Sequence, residues 1–141
     1  MTAKEYLSQI TRIENAIQRK RDVRASLWAQ VGIPQLPDNE DRVVGSGCPK
    51  DQVSDIAIQI AEIERWLDFK IYELNNLKFT ILKQIDGMEN QKYGELLTCK
   101  YVLGMTWPKV AEAMHYSEDY CKKELHSRAL QMFYRMYLKP H

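Results

Sequence analysis

The chain has 141 residues, 45% of them hydrophobic and 28% charged, with 20 Lys and Arg against 19 Asp and Glu for a formal net charge of +1. That composition is ordinary for a soluble protein, and it excludes a helical membrane span, because no stretch approaches the roughly 20 consecutive apolar residues required. It does not exclude a nucleic-acid partner, since the charge is uneven: residues 1–37 carry 6 basic and 3 acidic side chains, residues 38–87 carry 6 and 10, and residues 88–141 carry 8 and 6.

The opening Met1 to Tyr6 lacks the basic-then-apolar order of a secretory signal. The three cysteines, Cys48, Cys99 and Cys121, are odd in number and widely spaced. This suits a reducing cytosol better than a disulfide framework. A cytosolic, soluble, mostly helical protein is expected.

In chain order, the first predicted helix runs from Lys4 to about Val31, a stretch free of Gly and Pro. Apolar residues fall at helical spacing at Leu7, Ile10, Ile13, Ile17, Leu27 and Val31, with Lys20 and Arg24 interrupting the stripe. Pro34 and Pro37 end it. The connection to Lys50 contains Asp41-Arg42-Val43-Val44-Gly45-Ser46-Gly47. It opens no strand-to-helix phosphate motif and reads as a flexible linker.

From Val53 the pattern is regular: Ile56, Ile60, Ile63, Leu67, Lys70, Leu74, Leu77 and Ile81 follow at alternating three and four. That is the signature of a coiled-coil seam, with Lys70 the exception, there either to set register or to snorkel outward. A basic first helix and an acidic second one attract, so an antiparallel helical hairpin is the economical arrangement. An intermolecular coiled coil competes with it and does not exclude it. Asp86-Gly87 breaks the long helix, dividing the chain into residues 1–86, with a connecting loop at about 32–52, and residues 87–141.

The last part reads as three short helices. The first spans about Asn90 to Leu103, with Tyr93, Leu96, Leu97, Tyr101 and Val102 inward. Gly104 stands where a helix end favours a left-handed residue. Thr106 is a good N-cap with Pro108 in the first turn, and Val110, Ala111 and Met114 form an inner face. His115 occupies a turn where Gly is frequent, and His tolerates positive φ better than most residues. Ser117 caps the third helix, whose inner stripe is Cys121, Leu125, Ala129, Met132 or Phe133, and Met136. The expected fold is therefore all-α, a long coiled-coil-like hairpin followed by a three-helix domain with the layout of a helix-turn-helix. Such a unit presents one helix to a DNA major groove.

On that layout Lys122, Lys123 and His126 point outward from the third helix. The lysines suit phosphate or guanine O6 and N7, while His126 and Tyr120 add a hydrogen bond or base contact. Arg128 lies further along, towards the phosphate backbone. Thr106, Trp107 and Lys109, with Ser117 at the next cap, suit a phosphate held at a helix N-terminus. Glu118 and Asp119 favour the helix dipole but place negative charge near those phosphates.

Residues Tyr93 to Leu130 resemble the promoter-binding C-terminal region of primary sigma factors. The motifs that carry the likeness are Leu96-Leu97, Tyr101-Val102, Thr106-Trp107, Val110-Ala111, Tyr116-Ser117 and Leu125-His126-Ser127-Arg128-Ala129-Leu130. The form is similar to that of small phage and prophage proteins of Gram-positive hosts akin to the RinA and ArpU late-gene regulators. Met1 to Ile10 and Asp41 to Gly47 ahead of a long helix resemble the same proteins. The resemblance implies duplex-DNA binding in transcription control, with contact to host RNA polymerase of the kind sigma-like regions make. His115 and the Glu118-Asp119 pair depart from the pattern at the DNA edge.

The expected function is thus a phage-type transcriptional regulator, with the coiled-coil arm serving as a homodimer interface or a protein contact. The alternative is an adaptor or inhibitor that binds RNA polymerase or another regulator through that arm. Neither Cys121 with His126 nor His115 nearby gives a paired metal-ligand spacing, so no metal or other cofactor is expected. No stretch offers a nucleophile beside a base, so no enzyme is expected.

Overall fold

The structure, a computed structural model, describes residues 1–32 and 50–140. The predicted linker falls largely outside the described residues, as do Pro34, Pro37, Gly45-Ser46-Gly47 and Cys48. Among the described residues the protein is all-helical, with no strand. No described helix is long and apolar enough to cross a membrane. Helix α1 spans Ala3–Val31 and α2 spans Lys50–Asp86. Helix α3 covers Gln91–Leu97 and widens into π-helical turns over Thr98–Val102. Helix α4 is Trp107–Met114, and α5 is His126–Phe133, flanked by π-helical turns at Tyr120–Leu125 and Tyr134–Leu138.

The chain forms two compact units that cut both long helices: residues 1–14 with 74–141, and residues 15–73. The break expected at Asp86-Gly87 is where α2 ends, whereas the compact units divide within α1 and α2.

In the unit of residues 15–73, Val31, Ile56 and Ile60 are buried together, with Leu27, Trp28 and Val53 packed against them. Ile17, Ile63 and Leu67 are buried as the spacing predicts. Lys70, the charge inside the seam, is half-buried; its Nζ lies 3.2 Å from the Glu73 carboxylate and 5.7 Å from the Trp66 ring centroid. The ammonium thus meets a partly exposed carboxylate on its own helix, as a snorkelling lysine would.

The other unit joins the first turns of α1 to everything after residue 74. Thr2 opens α1: the Glu5 backbone N–H donates to the Thr2 hydroxyl at 3.1 Å, and that hydroxyl donates to the Glu5 carboxylate at 3.2 Å. This is a variant of the capping box, read from Thr2-Ala3-Lys4-Glu5. Leu7 and Ile10 are fully buried, as are Ile81, Leu96, Leu97, Val110, Cys121, Ala129 and Phe133 of the same unit. Each large apolar side chain buried there contributes roughly 1.5–3 kcal/mol. The Tyr6 ring lies 5.7 Å from Phe133 and its hydroxyl donates to Gln84 Oε1 at 2.8 Å. The Lys78 ammonium is 3.1 Å from the Glu14 carboxylate. The start of the chain is therefore part of the C-terminal helical core.

Two local features set the approach of the helices. A Cβ on Gly94 would lie 3.3 Å from Ile85 Cγ2, so the bare backbone lets α3 come close to the end of α2. Asn90 caps α3, its side-chain oxygen accepting from the N–H groups of Lys92 and Tyr93.

Among the expected core positions Met136 is corrected: it is 38% exposed. The wide turns at Tyr134–Leu138 shift the helical register, so Tyr137 rather than Met136 packs towards the core, its ring 5.0 Å from Phe133. An i→i+5 turn carries more than 3.6 residues, which displaces an i+3 stripe.

Candidate nucleic-acid interface

Helix α4 begins after Thr106, which has extended backbone (φ −72°, ψ 158°) and makes no side-chain cap hydrogen bond. Its hydroxyl is left exposed at the helix start, beside Pro108 and the exposed Lys109. The preceding turn uses Gly104 at φ +67°, in the left-handed region favoured by glycine.

Val110, Ala111 and Met114 bury the inner face of α4. The helix ends on His115, which adopts φ 62° and ψ 37°; its N–H and that of Tyr116 both reach back to α4 carbonyls. The Ser117 hydroxyl then accepts from the Tyr120 N–H at 3.2 Å. These are the left-handed turn and the cap that the sequence places at His115 and Ser117. The next helical stretch runs without a break over 118–138.

Cys121 and Leu125 are buried beneath the first wide turns, and Lys122 and Lys123 are exposed. Tyr120 is exposed too, its ring 5.3 Å from Tyr116, over which Lys92 Nζ sits at 5.4 Å. The Tyr116 hydroxyl holds the Lys92 ammonium above the usual lysine value. Arg128 is exposed and lies 3.2 Å from the Glu124 carboxylate one turn earlier.

His126 is corrected in placement. It does not point outward; it is half-buried, with Nε2 2.6 Å from the Tyr101 hydroxyl and its ring 4.8 Å edge-on from Trp107. The cause is again the wide turn: the His126 N–H bonds the Cys121 carbonyl, an i→i+5 link that brings position 126 round towards the inner side. Burial, then the positive charges of Lys4 and Lys100, lowers the His126 pKa to about 4. Burial likewise pushes Tyr101 up to about 12. At neutral pH both groups are uncharged, so the contact is one hydrogen bond between neutral partners, with its direction set by which imidazole nitrogen carries the proton.

Of the nine residues singled out from sequence, Thr106, Lys109, Ser117, Tyr120, Lys122, Lys123 and Arg128 lie exposed, while Trp107 and His126 pair in a recess. Sequence reasoning missed Lys4 and Lys100. Lys100 lies with its Nζ 4.7 Å from the Trp107 ring centroid and 3.4 Å from the Met105 carbonyl. Only the docking of α1 against the C-terminal helices brings Lys4 near His126, and no local pattern signals a contact across more than a hundred residues.

Cys99 and Cys121 both hold their thiols above the usual pKa, chiefly through burial, which disfavours the nucleophilic thiolate. Among the described residues no three His, Cys, Asp or Glu side chains gather as a metal site would require. Comparison with protein-family models, with curated proteins and with solved structures returns no match.

Proposed function

We propose that α4, the His115 turn and the helical stretch 118–138 act as a helix-turn-helix that binds duplex DNA, in a phage-type transcriptional regulator of the bacterial cytoplasm. In this reading the protein is not an enzyme. It comprises an antiparallel helical hairpin followed by a three-helix domain, and a sigma-like contact to host RNA polymerase accompanies DNA binding. The observation that carries the reading is the exposed Lys122-Lys123 pair, one turn into a helix that opens at Ser117 directly after a left-handed turn. A major groove admits one helix, and the residues near its start reach base edges. Selection of duplex sequences from a random pool tests it. Enrichment of a common motif supports site-specific binding, and a pool that stays random after successive rounds retires it.

One observation favours a second reading, in which the α2 arm makes a protein contact, the simplest partner being a second copy of the chain. Phe69 and Tyr72, at i and i+3 on α2, are 63% and 68% exposed. Neighbouring apolar side chains left in water on one helix face favour association.

A further inference from the structure

A groove of about 480 Å³ opens between the first turns of α1, the wide turns of α3 and the start of α4. Lys4, Arg12 and Lys100 line it, Ser8 and Thr11 add hydroxyl groups from one face of α1, and Trp107 and His126 form part of its wall. No acidic side chain among the described residues lines it. All of these residues belong to one compact unit.

We propose that this recess binds a phosphate ester. Three cationic side chains converge on one concavity with no carboxylate to neutralise them. None of the three has an ion pair among the described residues: Arg12 donates to the Glu5 backbone carbonyl at 3.4 Å, and Lys100 donates to the Met105 carbonyl and lies over the Trp107 ring. Ammonium and guanidinium groups bind phosphate oxygens by charge-assisted hydrogen bonds. The beginning of α4 lies at the recess, where the positive end of its dipole adds to the field. The field reaches the wall of the recess: after burial, Lys4 and Lys100 each disfavour a further positive charge on the His126 imidazole. The volume lies within the range of small-molecule sites, and the Trp107 and Tyr101 rings give an apolar flank to whatever the phosphate carries.

The phosphate has two sources. A free phosphorylated small molecule makes the recess a separate ligand site. A backbone phosphate of duplex DNA extends the proposed interface, and that arm alone rests on the DNA reading.

The test uses the full chain and follows the His126 and Trp107 ring resonances by NMR during titration with pyrophosphate, with AMP and with duplex DNA. Saturable shifts with pyrophosphate or AMP, accompanied by a rise in the His126 pKa, support the free-ligand source. The rise follows because a bound anion offsets Lys4 and Lys100. Lys4→Ala and Lys100→Ala should each weaken that binding about tenfold, as loss of one charged hydrogen bond does, while Lys122→Ala and Lys123→Ala leave it unchanged. Shifts produced only by duplex DNA, and lost in Lys4→Ala and Lys100→Ala, support the backbone source. Absence of a response at His126 and Trp107 to all three ligands overturns the proposal, as do shifts that persist undiminished in both lysine variants. Duplex binding through Lys122 and Lys123 with His126 and Trp107 unmoved overturns the recess and leaves the DNA reading standing.

Discussion

The Tyr101 hydroxyl lies 2.6 Å from His126 Nε2, a hydrogen bond that joins the wide turns after α3 to the first residue of α5. It takes His126 out of the set free to meet a base edge and gives it a positioning role, holding Trp107 and the start of α4 against the helix that carries Lys122 and Lys123. Both partners are neutral only between their two shifted pKa values, about 12 and about 4.

Acid should therefore weaken the fold through His126. Its folded-state pKa lies below the unfolded value of 6.5, so the neutral imidazole's contribution is fully present above pH 6.5. It is lost as the pH falls from there through about 4. At roughly 1.4 kcal/mol per pH unit, discounted for the solvent-facing edge of the ring, the loss is on the order of 2 kcal/mol. Urea unfolding at pH 7.0, 5.5 and 4.5 should show it in the parent chain. His126→Gln, which offers Tyr101 both a donor and an acceptor but does not titrate, should remove that part of the pH dependence. Parallel curves for the two proteins would mean that His126 titrates normally.

For Tyr101→Phe the expected result is a loss of about 1 kcal/mol at pH 7, since Nε2 is left without its hydrogen-bond partner. The raised Tyr101 pKa gives stability present below pH 10 and lost as the pH rises through about 12. The phenylalanine variant should lack that alkaline limb in unfolding curves taken between pH 9 and 12.

Salt dependence separates the exposed cations. If Lys122 and Lys123 each neutralise a phosphate, the double alanine variant should flatten the slope of log affinity against log salt by about 1.8. Anisotropy titrations from 50 to 200 mM salt measure this, and an unchanged slope rules both out as phosphate contacts. Arg128 already faces Glu124, with both side chains 55% exposed. Glu124→Gln should therefore tighten duplex binding, by about threefold at low salt, the size expected of an exposed charge pair.

Much of the fold is legible in the sequence because it rests on local chemistry. The three-and-four spacing of Ile56, Ile60, Ile63 and Leu67 identifies a buried stripe whatever it packs against. Gly104, His115 and Ser117 announce a turn, a left-handed helix end and a cap through their own backbone and side-chain preferences. The candidate site is less legible for two physical reasons. The i→i+5 turns at Tyr120–Leu125 and Tyr134–Leu138 have no composition signature, and they move His126 inward and Met136 outward against a 3.6-residue reading. The docking of the first turns of α1 on the C-terminal helices, as at Tyr6 and Phe133, is a tertiary choice that brings Lys4 and Lys100 to one recess, and a helical stripe does not name its partner.

The protein-contact reading of α2 makes a prediction about mass. A dimer should show twice the 16.6 kDa of one chain in light scattering. Phe69→Ser with Tyr72→Ser should return it to the single-chain value without loss of helicity, because both side chains are largely exposed in the single chain. A parent protein of single-chain mass at every concentration would dismiss the second copy as the partner.

The His115 turn offers the cleanest separation of backbone from side chain. At φ 62° an L-residue carries a steric cost that glycine does not, about 1 kcal/mol for a tolerant residue such as His. His115→Gly removes that cost but adds freedom to the unfolded chain, for a net gain of roughly 0.5 kcal/mol. Gly104→Ala is the mirror experiment. A Cβ there meets nothing within 4 Å, so its effect is backbone strain at φ +67° alone, a loss of about 1 kcal/mol and roughly 3 °C in Tm. Thermal unfolding of the two variants should move in opposite directions. A lower Tm for His115→Gly would show that the imidazole stabilises the turn by its contacts, and the departure from glycine there would then be a feature of the interface rather than a tolerated strain.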